Sequence, residues 1–378
     1  MKIGIVGSGA MGSGIAQVAA QAGHEVVLAD QSDAVLLKSE SQLKETLEKL
    51  IQKGKLDSSS ANSILTRISR TKNNSDFADC GLVIEAIVEN VDLKKSLFSS
   101  LDSIVAEDCV LASNTSSLSI TSIASASKNP GRVMGIHFFN PAPLMPLVEI
   151  IPALQSDSTH IKKMHELITS WGKTVVLAKD TPGFIVNRVA RPFYGEALRI
   201  YEEGIGSFST IDTAMKELGG FRMGPFELMD LIGNDVNYAV TESIFRAMYF
   251  DQRYKPSLTQ LKMTEAGWLG RKSGRGYYDY SNSQTSSEDR NPNLENMIFE
   301  RILVMLINEA YDAEYMGIAS GSDIDLAMTK GVNYPKGLIA WGKEFGLQKV
   351  ESILDALYEK YGEDRYRCSP GIRNVMKP

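Results

Sequence analysis

A chain of 378 residues with 43% hydrophobic and 23% charged residues is too long for one ordinary core, which predicts two or three globular domains. Its net charge of −6 argues against a general nucleic-acid binder, which needs a basic surface, and leaves any anionic ligand to be met by local cations. Three scattered cysteines, Cys80, Cys109 and Cys368, argue against a disulfide framework or a metal centre, and no apolar run approaches the roughly 20 residues that span a bilayer.

Lys2 to Val6 reads as a strand ending in a glycine-rich turn, followed by a helix over Met11 to Ala22 that Gly23 stops. With no targeting segment ahead of that strand, a cytoplasmic location is the expectation. Glu25 to Ala29 is the next strand, Asp30 closes it, and a long polar helix fills Ser32 to Lys53. Leu82 to Ile87, Val110 to Ser113 and Val133 to His137 read as further strands, with Leu147 to Ile151 and Thr174 to Leu177 as late strands of the same domain. Strands alternating with helices predict an α/β fold with a parallel, doubly wound sheet of Rossmann type. At Thr181-Pro182-Gly183 the pattern turns helical. Thr181 suits an N-cap, Pro182 a first helical position, and Pro192 should kink the helix predicted from Phe184 to Glu203. Ser281 to Asn293 reads as a polar linker before a final helical block.

That block repeats the one before it. Shifted by 113 positions, the chain realigns without gaps: Arg188 meets Arg301, Glu196-Ala197 meets Glu309-Ala310, and Gly204-Ile205 meets Gly317-Ile318. Ile211-Asp212 meets Ile324-Asp325, Ala214-Met215 meets Ala327-Met328, and Gly224 meets Gly337. The predicted domains are therefore 1–181, a dinucleotide fold; 182–280, all-helical; a linker over 281–293; and 294–378, a second all-helical copy.

Gly7-Ser8-Gly9-Ala10-Met11-Gly12 fits G-x-G-x-x-G in its proper setting, after a strand and opening a helix. Gly7 permits the tight turn, Gly9 the approach of a pyrophosphate, and Gly12 the packing of helix on strand, while the helix N-terminus offers its N–H groups to phosphate. Asp30, about 20 residues on, sits where an acid binds the ribose hydroxyls. Gln31, Ser32 and Asp33 follow it with no arginine, so NAD is favoured over NADP.

His137 closes a strand, and Glu149 lies twelve residues on among branched apolar residues, where a carboxylate is costly unless paired. The two flanking strands are joined by a proline-rich turn, so the side chains can meet, and a carboxylate-held histidine is a good general base. Ser116 lies just past the carboxyl end of a strand, the edge where ligands collect in open α/β sheets. Ser117 and Ser119 are better placed than Ser116 as helix caps. Asn187 becomes Glu300 in the second copy while the core pattern persists, so its role reads as chemical and confined to the first copy.

These residues resemble the L-3-hydroxyacyl-CoA dehydrogenase family over almost the whole chain. The resemblance rests on the glycine loop, Glu85-Ala86-Ile87-Val88-Glu89-Asn90, Ser113-Asn114-Thr115-Ser116-Ser117, His137-Phe138-Phe139-Asn140-Pro141, Pro182-Gly183-Phe184-Ile185-Val186-Asn187-Arg188 and Met223-Gly224-Pro225-Phe226-Glu227. It implies NAD-dependent oxidation of a (S)-3-hydroxyacyl-CoA, short-chain or dicarboxylic, to the 3-oxoacyl-CoA. It also implies His137 as base, Glu149 as its orienting partner, and Ser116 and Asn187 on the substrate oxygens. Glu89 and Lys94 would stand beside the nicotinamide ribose, with Ala10, Met11, Asn114 and Asn140 completing the cofactor set. Thr46 and Lys53 would touch the CoA moiety. Short family members pair as homodimers through the helical domain. The extra copy resembles the tandem arrangement of the multifunctional fatty-acid oxidation enzymes and implies an intramolecular pseudo-dimer, with a homodimer of whole chains left open. Two other readings compete: a hydroxy-acid or sugar-acid dehydrogenase like the gulonate dehydrogenase and lambda-crystallin relatives, and a non-catalytic NAD-binding structural protein. The combined presence of Ser116, His137, Glu149 and Asn187 speaks against the second.

Overall fold

Short, branched apolar runs bounded by glycine and polar caps build the first half of the chain. The computed structural model describes residues 1–281 and 290–377, which form two units, Met1–Thr181 and Pro182–Pro378. In the first, β1 (Lys2–Val6), β2 (Glu25–Ala29), β3 (Ile68–Thr71), β4 (Leu82–Glu85), β5 (Val110–Ser113), β6 (Val133–Phe138), β7 (Leu147–Pro152) and β8 (Thr174–Leu177) make one sheet, ordered β3-β2-β1-β4-β5-β6-β7-β8. Helices α1 (Ala10–Gln21), α2 (Asp33–Gln52), α3 (Ser58–Thr66), α4 (Val91–Asp102), α5 (Ile120–Ala124) and α6 (Ser158–Ser170) connect the strands. Nearly every position of β1, β4, β5 and β6 is buried, as expected of parallel strands covered on both faces.

The sheet departs from the expected all-parallel arrangement at one place: β7 runs antiparallel to β6. Only eight residues separate the two strands, too few for a parallel crossover, which takes a dozen or more. Strand β3, of mixed sequence Ile-Ser-Arg-Thr, is an addition to the predicted set. Helix α2 forms because the Ser32 hydroxyl caps the Val35 N–H and because Leu36, Ser39, Leu43 and Leu47 recur on one buried face.

The second unit holds both helical copies together, where the sequence predicts two domains. Its first copy contains α7 (Val186–Val189), α8 (Arg191–Glu202), α9 (Phe208–Gly219), α10 (Pro225–Ile232), α11 (Asn234–Ala247) and α12 (Leu258–Glu265). Its second contains α13 (Pro292–Tyr315), α14 (Gly321–Gly331), α15 (Leu338–Phe345), α16 (Leu347–Tyr361) and α17 (Pro370–Val375). Thr181 does not cap a helix; its hydroxyl turns back to the Lys179 carbonyl. Helix begins only at Val186, after Gly183 and Phe184 take positive φ values of 79° and 48°. The expected break near Pro192 occurs at Ala190, and Pro192 sits in the first turn of α8, where its missing N–H costs nothing. The predicted linker is shorter than expected at its far end, because Asn291 caps α13 and Pro292 begins it. Residues 282–289 of that linker lie outside the described residues.

The repeated residues explain themselves in contacts. Asp212 accepts from the Phe226 and Glu227 N–H groups, both at 2.9 Å, and so caps α10. Asp325 does the same for Ile339 and Ala340 at α15, at 2.7 and 3.1 Å. A Cβ on Gly224 would fall 2.3 Å from Asp212, and one on Gly337 2.2 Å from Asp325, so each cap requires its glycine. Between the copies the ion pairs are exchanged. Arg188 Nε donates to Glu309 at 2.7 Å, and Arg301 Nε donates to Glu196 at 2.6 Å. Tyr254 Oη donates to Glu309 at 2.5 Å, and Tyr366 Oη to Glu196 at 2.7 Å. All four charged partners are nearly fully buried.

Candidate active site

The cofactor end is built on the glycine loop. The chain leaves β1 at Gly7 with φ of 99°, and a Cβ there would lie 2.5 Å from the Ala86 carbonyl oxygen. A Cβ on Gly12 would lie 1.8 Å from the Gly7 carbonyl oxygen, so α1 approaches the loop this closely only without a side chain. At Gly9 a Cβ would meet nothing within 4 Å. Gly9 is the N-cap of α1 and Ala10 and Met11 open its first turn, where N–H groups lack a helical acceptor and the dipole is positive. A cavity of about 660 Å³ runs from Gly7 and Gly9 past Asp30, Lys72, Asn74 and Ile87 to Leu93. Open space at Gly9, donors facing it and an acid at the cavity wall fit the diphosphate and ribose of a dinucleotide.

Asp30 is itself organised. Its Oδ2 accepts from the Ser8 N–H and hydroxyl at 2.9 and 3.0 Å, and its Oδ1 from the Ser32 N–H at 3.1 Å. Lys72 and Asn74 on the same cavity are residues the sequence reading missed, because they follow the unpredicted β3. Lys72 stands 2.7 Å from Asp33 and so reaches the cavity already paired.

Where β4 and β5 end, Lys94 is buried, 2.6 Å from Glu85 and 3.2 Å from Glu89. Glu89 also accepts from the hydroxyls of Thr115 and Ser117. Burial works to raise the Glu89 carboxyl, but the Lys94 charge and those hydroxyls outweigh it and hold the group below its ordinary value. Glu85, fully buried, was read in the sequence only as part of a strand and motif.

His137 and Glu149 are cross-strand partners in the antiparallel β6–β7 pair, so their side chains leave the same face of the sheet. Nδ1 of His137 lies 2.7 Å from Glu149 Oε2, with the residues only 6% and 1% exposed. A carboxylate accepts and does not donate, so Nδ1 carries the proton that faces Glu149. The Phe139 ring lies 4.5 Å from the imidazole, centroid to centroid. Asn114 Oδ1 accepts the Phe138 N–H at 2.8 Å and joins the end of β5 to the strand that carries His137. Ser116 is half-buried in the loop after β5, and Ser119, not Ser116, caps α5. Asn140 is exposed in the turn that follows His137.

Lys173 was not anticipated. Its buried ammonium donates to the carbonyls of Ala142 and Met145 at 2.6 and 2.8 Å, pinning the turn between β6 and β7. Burial lowers its pKa.

Thr46 and Lys53 are both exposed on α2 and its C-cap, seven positions apart and thus on one face; the Thr46 hydroxyl bonds the Gln42 carbonyl at 2.7 Å. Asn187 belongs to the second unit, half-buried on the single turn α7, with its carbonyl accepting from Arg191 at 2.8 Å. Among the described residues no cluster of three or more His, Cys, Asp or Glu is arranged to hold a metal, and no helix is long and apolar enough to cross a membrane.

The family model for the 3-hydroxyacyl-CoA dehydrogenase NAD-binding domain matches residues 2–181, and that for the C-terminal domain of the same enzymes matches 183–280 and 297–377. The chain is 37% identical to the 3-hydroxyadipyl-CoA dehydrogenase of Escherichia coli K12, over 97% of this chain and 96% of the relative. It is 42% identical to a 3-hydroxybutyryl-CoA dehydrogenase of Clostridioides difficile, which covers 74% of this chain and is itself covered in full, 100%. Among solved structures, 3-hydroxybutyryl-CoA dehydrogenase from E. coli K12 superposes with a TM-score of 0.96 at 36% identity, over 99% of this chain and 98% of that one.

Proposed function

Because the chain belongs to the 3-hydroxyacyl-CoA dehydrogenase family and is an NAD-dependent oxidoreductase, we propose that it oxidises the 3-hydroxyl of a short-chain or dicarboxylic (S)-3-hydroxyacyl-CoA to the 3-oxoacyl-CoA. The observation that carries this reading is the His137–Glu149 contact at the carboxyl end of β6. Nε2 of His137 takes the hydroxyl proton of the substrate. Glu149 holds Nδ1–H, fixes the tautomer and stabilises the imidazolium that forms. Ser116 and Asn187 donate to the substrate oxygens, and Thr46 and Lys53 meet the CoA moiety. NAD, when bound, supplies the hydride acceptor. The residues that hold it are Gly7, Gly9, Ala10, Met11 and Gly12 at the diphosphate, Asp30 at the adenine ribose, Glu89 and Lys94 at the nicotinamide ribose, and Asn114 and Asn140 beside the ring. Asp30 faces the position of a 2′-phosphate, and the Lys72 ammonium is held 2.7 Å from Asp33, so NADH is used in strong preference to NADPH. Three free, buried cysteines suit a reducing compartment such as the cytoplasm.

His137→Gln tests the base. Turnover falls by about 10²–10⁴-fold with NADH affinity nearly unchanged; near wild-type turnover overturns the assignment. A panel of 3-hydroxyacyl-CoA substrates, including 3-hydroxyadipyl-CoA and 3-hydroxybutyryl-CoA, sets the acyl preference. Acetoacetyl-CoA against free acetoacetate separates this reading from a hydroxy-acid dehydrogenase.

The second copy, in this reading, takes the place of a partner subunit. The exchanged Arg188–Glu309 and Arg301–Glu196 pairs support it, since each copy supplies both an arginine and a glutamate. A chain truncated after Tyr280 keeps Arg188, Glu196 and Tyr254 and can offer the same pairs to a second copy of itself. It is expected to dimerise or aggregate. A soluble, monomeric and equally stable fragment, by sedimentation and melting, defeats the idea.

A further inference from the structure

Lys94 is placed where a lysine is least comfortable. It sits in the first turn region of α4, at the positive end of the dipole, and is only 1% exposed. A buried ammonium there stands only with a buried counter-charge. Glu89 cannot be the whole of it, because its side chain is 40% exposed. The buried carboxylate is Glu85, the last residue of β4, at 0% exposure.

Glu85 does more than neutralise. Its Oε1 accepts from Lys94 at 2.6 Å and from the Ile87 N–H at 2.7 Å. Its Oε2 accepts from the Ser113 hydroxyl at 2.6 Å, and Ser113 Oγ in turn accepts from the Thr115 N–H at 3.2 Å. In the sheet Glu85 is flanked by Val6, the residue before the glycine loop, and by Ser113, the residue before Asn114 to Ser117. The Asn114 N–H donates to the Glu85 carbonyl at 2.8 Å, so side chain and backbone hold the same loop.

We infer that Glu85 is a positioning residue that fixes Lys94 on the cofactor side and the Ser113–Ser117 loop on the substrate side through the two oxygens of one buried carboxylate. This rests on the dehydrogenase reading above. Without Glu85 the ammonium swings toward the exposed Glu89, which also anchors Thr115 and Ser117, and both ligand-facing groups lose their setting together.

A double-mutant cycle on the full chain tests it, reading the NADH Kd by fluorescence titration, the KM for acetoacetyl-CoA, and the melting temperature. Glu85→Gln raises the NADH Kd by about tenfold and the acetoacetyl-CoA KM severalfold, in line with loss of a charge-assisted hydrogen bond. Lys94→Met raises the NADH Kd by a similar factor, and the double variant shows no further rise in Kd, because Glu85 acts on the cofactor through Lys94. If Glu85→Gln does not fold, the charge-balanced double variant and Ser113→Ala carry the test. Ser113→Ala raises the acetoacetyl-CoA KM by a larger factor than it raises the NADH Kd, since it leaves the Glu85–Lys94 pair in place. A Glu85→Gln protein with a lowered melting temperature but wild-type Kd and KM overturns the inference, as does a double variant whose Kd losses multiply. A Ser113→Ala protein with wild-type KM overturns the substrate-side half. Failure of the wild type itself to reduce acetoacetyl-CoA with NADH tells instead against the dehydrogenase reading.

Discussion

In the first helical copy the chain enters through Gly183 and a left-handed Phe184, makes one turn as α7, and breaks at Ala190 before α8. In the second copy the corresponding residues run unbroken through the 24 residues of α13. The element after element match beyond that point is close: α9 with α14, α10 with α15, α11 with α16, α12 with α17. Asn187 gives way to Glu300, and Val236 gives way to Lys349, which stands 2.6 Å from Glu300. Where the first copy carries a polar amide on an irregular turn, the second has a regular helix with a surface ion pair. In the proposed function the irregular backbone of the first copy serves to aim Asn187, and the regular helix of the second serves packing.

The sharpest way to break this comparison is to exchange the differing residue. Asn187→Ala is expected to cut kcat/KM by about 10²–10³-fold, the effect of deleting one hydrogen-bond donor to a developing oxyanion. Glu300→Ala is expected to change it less than about twofold, in keeping with the small worth of surface ion pairs. Equal losses in steady-state assays mean that the second copy is not merely scaffolding. The shared packing code predicts the opposite symmetry. Arg188→Met leaves Glu309 with Arg253 at 3.6 Å and Arg301→Met leaves Glu196 with Arg365 at 3.5 Å, so each removes one of two cations from a buried glutamate and should cost less than the roughly 3–5 kcal/mol of a fully broken buried pair, by urea unfolding; a large difference between them means that the exchanged pairs are not equivalent.

The smallest effect is one of pH. Burial pushes Asp212 up to about 7 from an ordinary 3.8, against the pull of the Tyr278 hydroxyl and the two backbone donors. Burial also raises Asp325, against its two backbone donors. The folded chain thus keeps a proton on Asp212 that the unfolded chain releases near 4, so stability declines as pH rises between about 4 and 7. Asp212→Asn should flatten the melting temperature over that window by a few degrees, and Asp325→Asn by less. A profile unchanged by Asp212→Asn rules out this linkage.

Much of this was legible in the sequence for physical reasons. The glycine loop announces itself because Gly7 and Gly12 tolerate nothing larger. The spacing of His137 and Glu149 points to a cross-strand pair because the turn between them is short, and that same shortness requires the antiparallel strand. Strand β3 was hidden because it is four residues of mixed polarity, and Lys72 and Asn74 were hidden with it. Glu85 looked like any residue of an apolar strand; only its burial beside Lys94 marks it. The repeat extends further than a gapless comparison finds. Asp251-Gln252-Arg253-Tyr254 answers Glu363-Asp364-Arg365-Tyr366, but one residue fewer intervenes in the second copy, so the register slips by one. Lys173 carries no signal in sequence, since its partners are backbone carbonyls.

Helix α13 is buried all round from Ile298 to Ala313 except at the half-buried Glu300, with its own copy on one side and α8 and α9 on the other. Such a helix has no face that can fray without opening both copies. Its amide protons should therefore exchange with solvent only through global unfolding of the second unit, the slowest class in the molecule, whereas those of α2, with four buried residues in 20, should exchange through local opening. The central rod of the helical unit would then report the free energy of the whole unit, residue by residue, at a single common value.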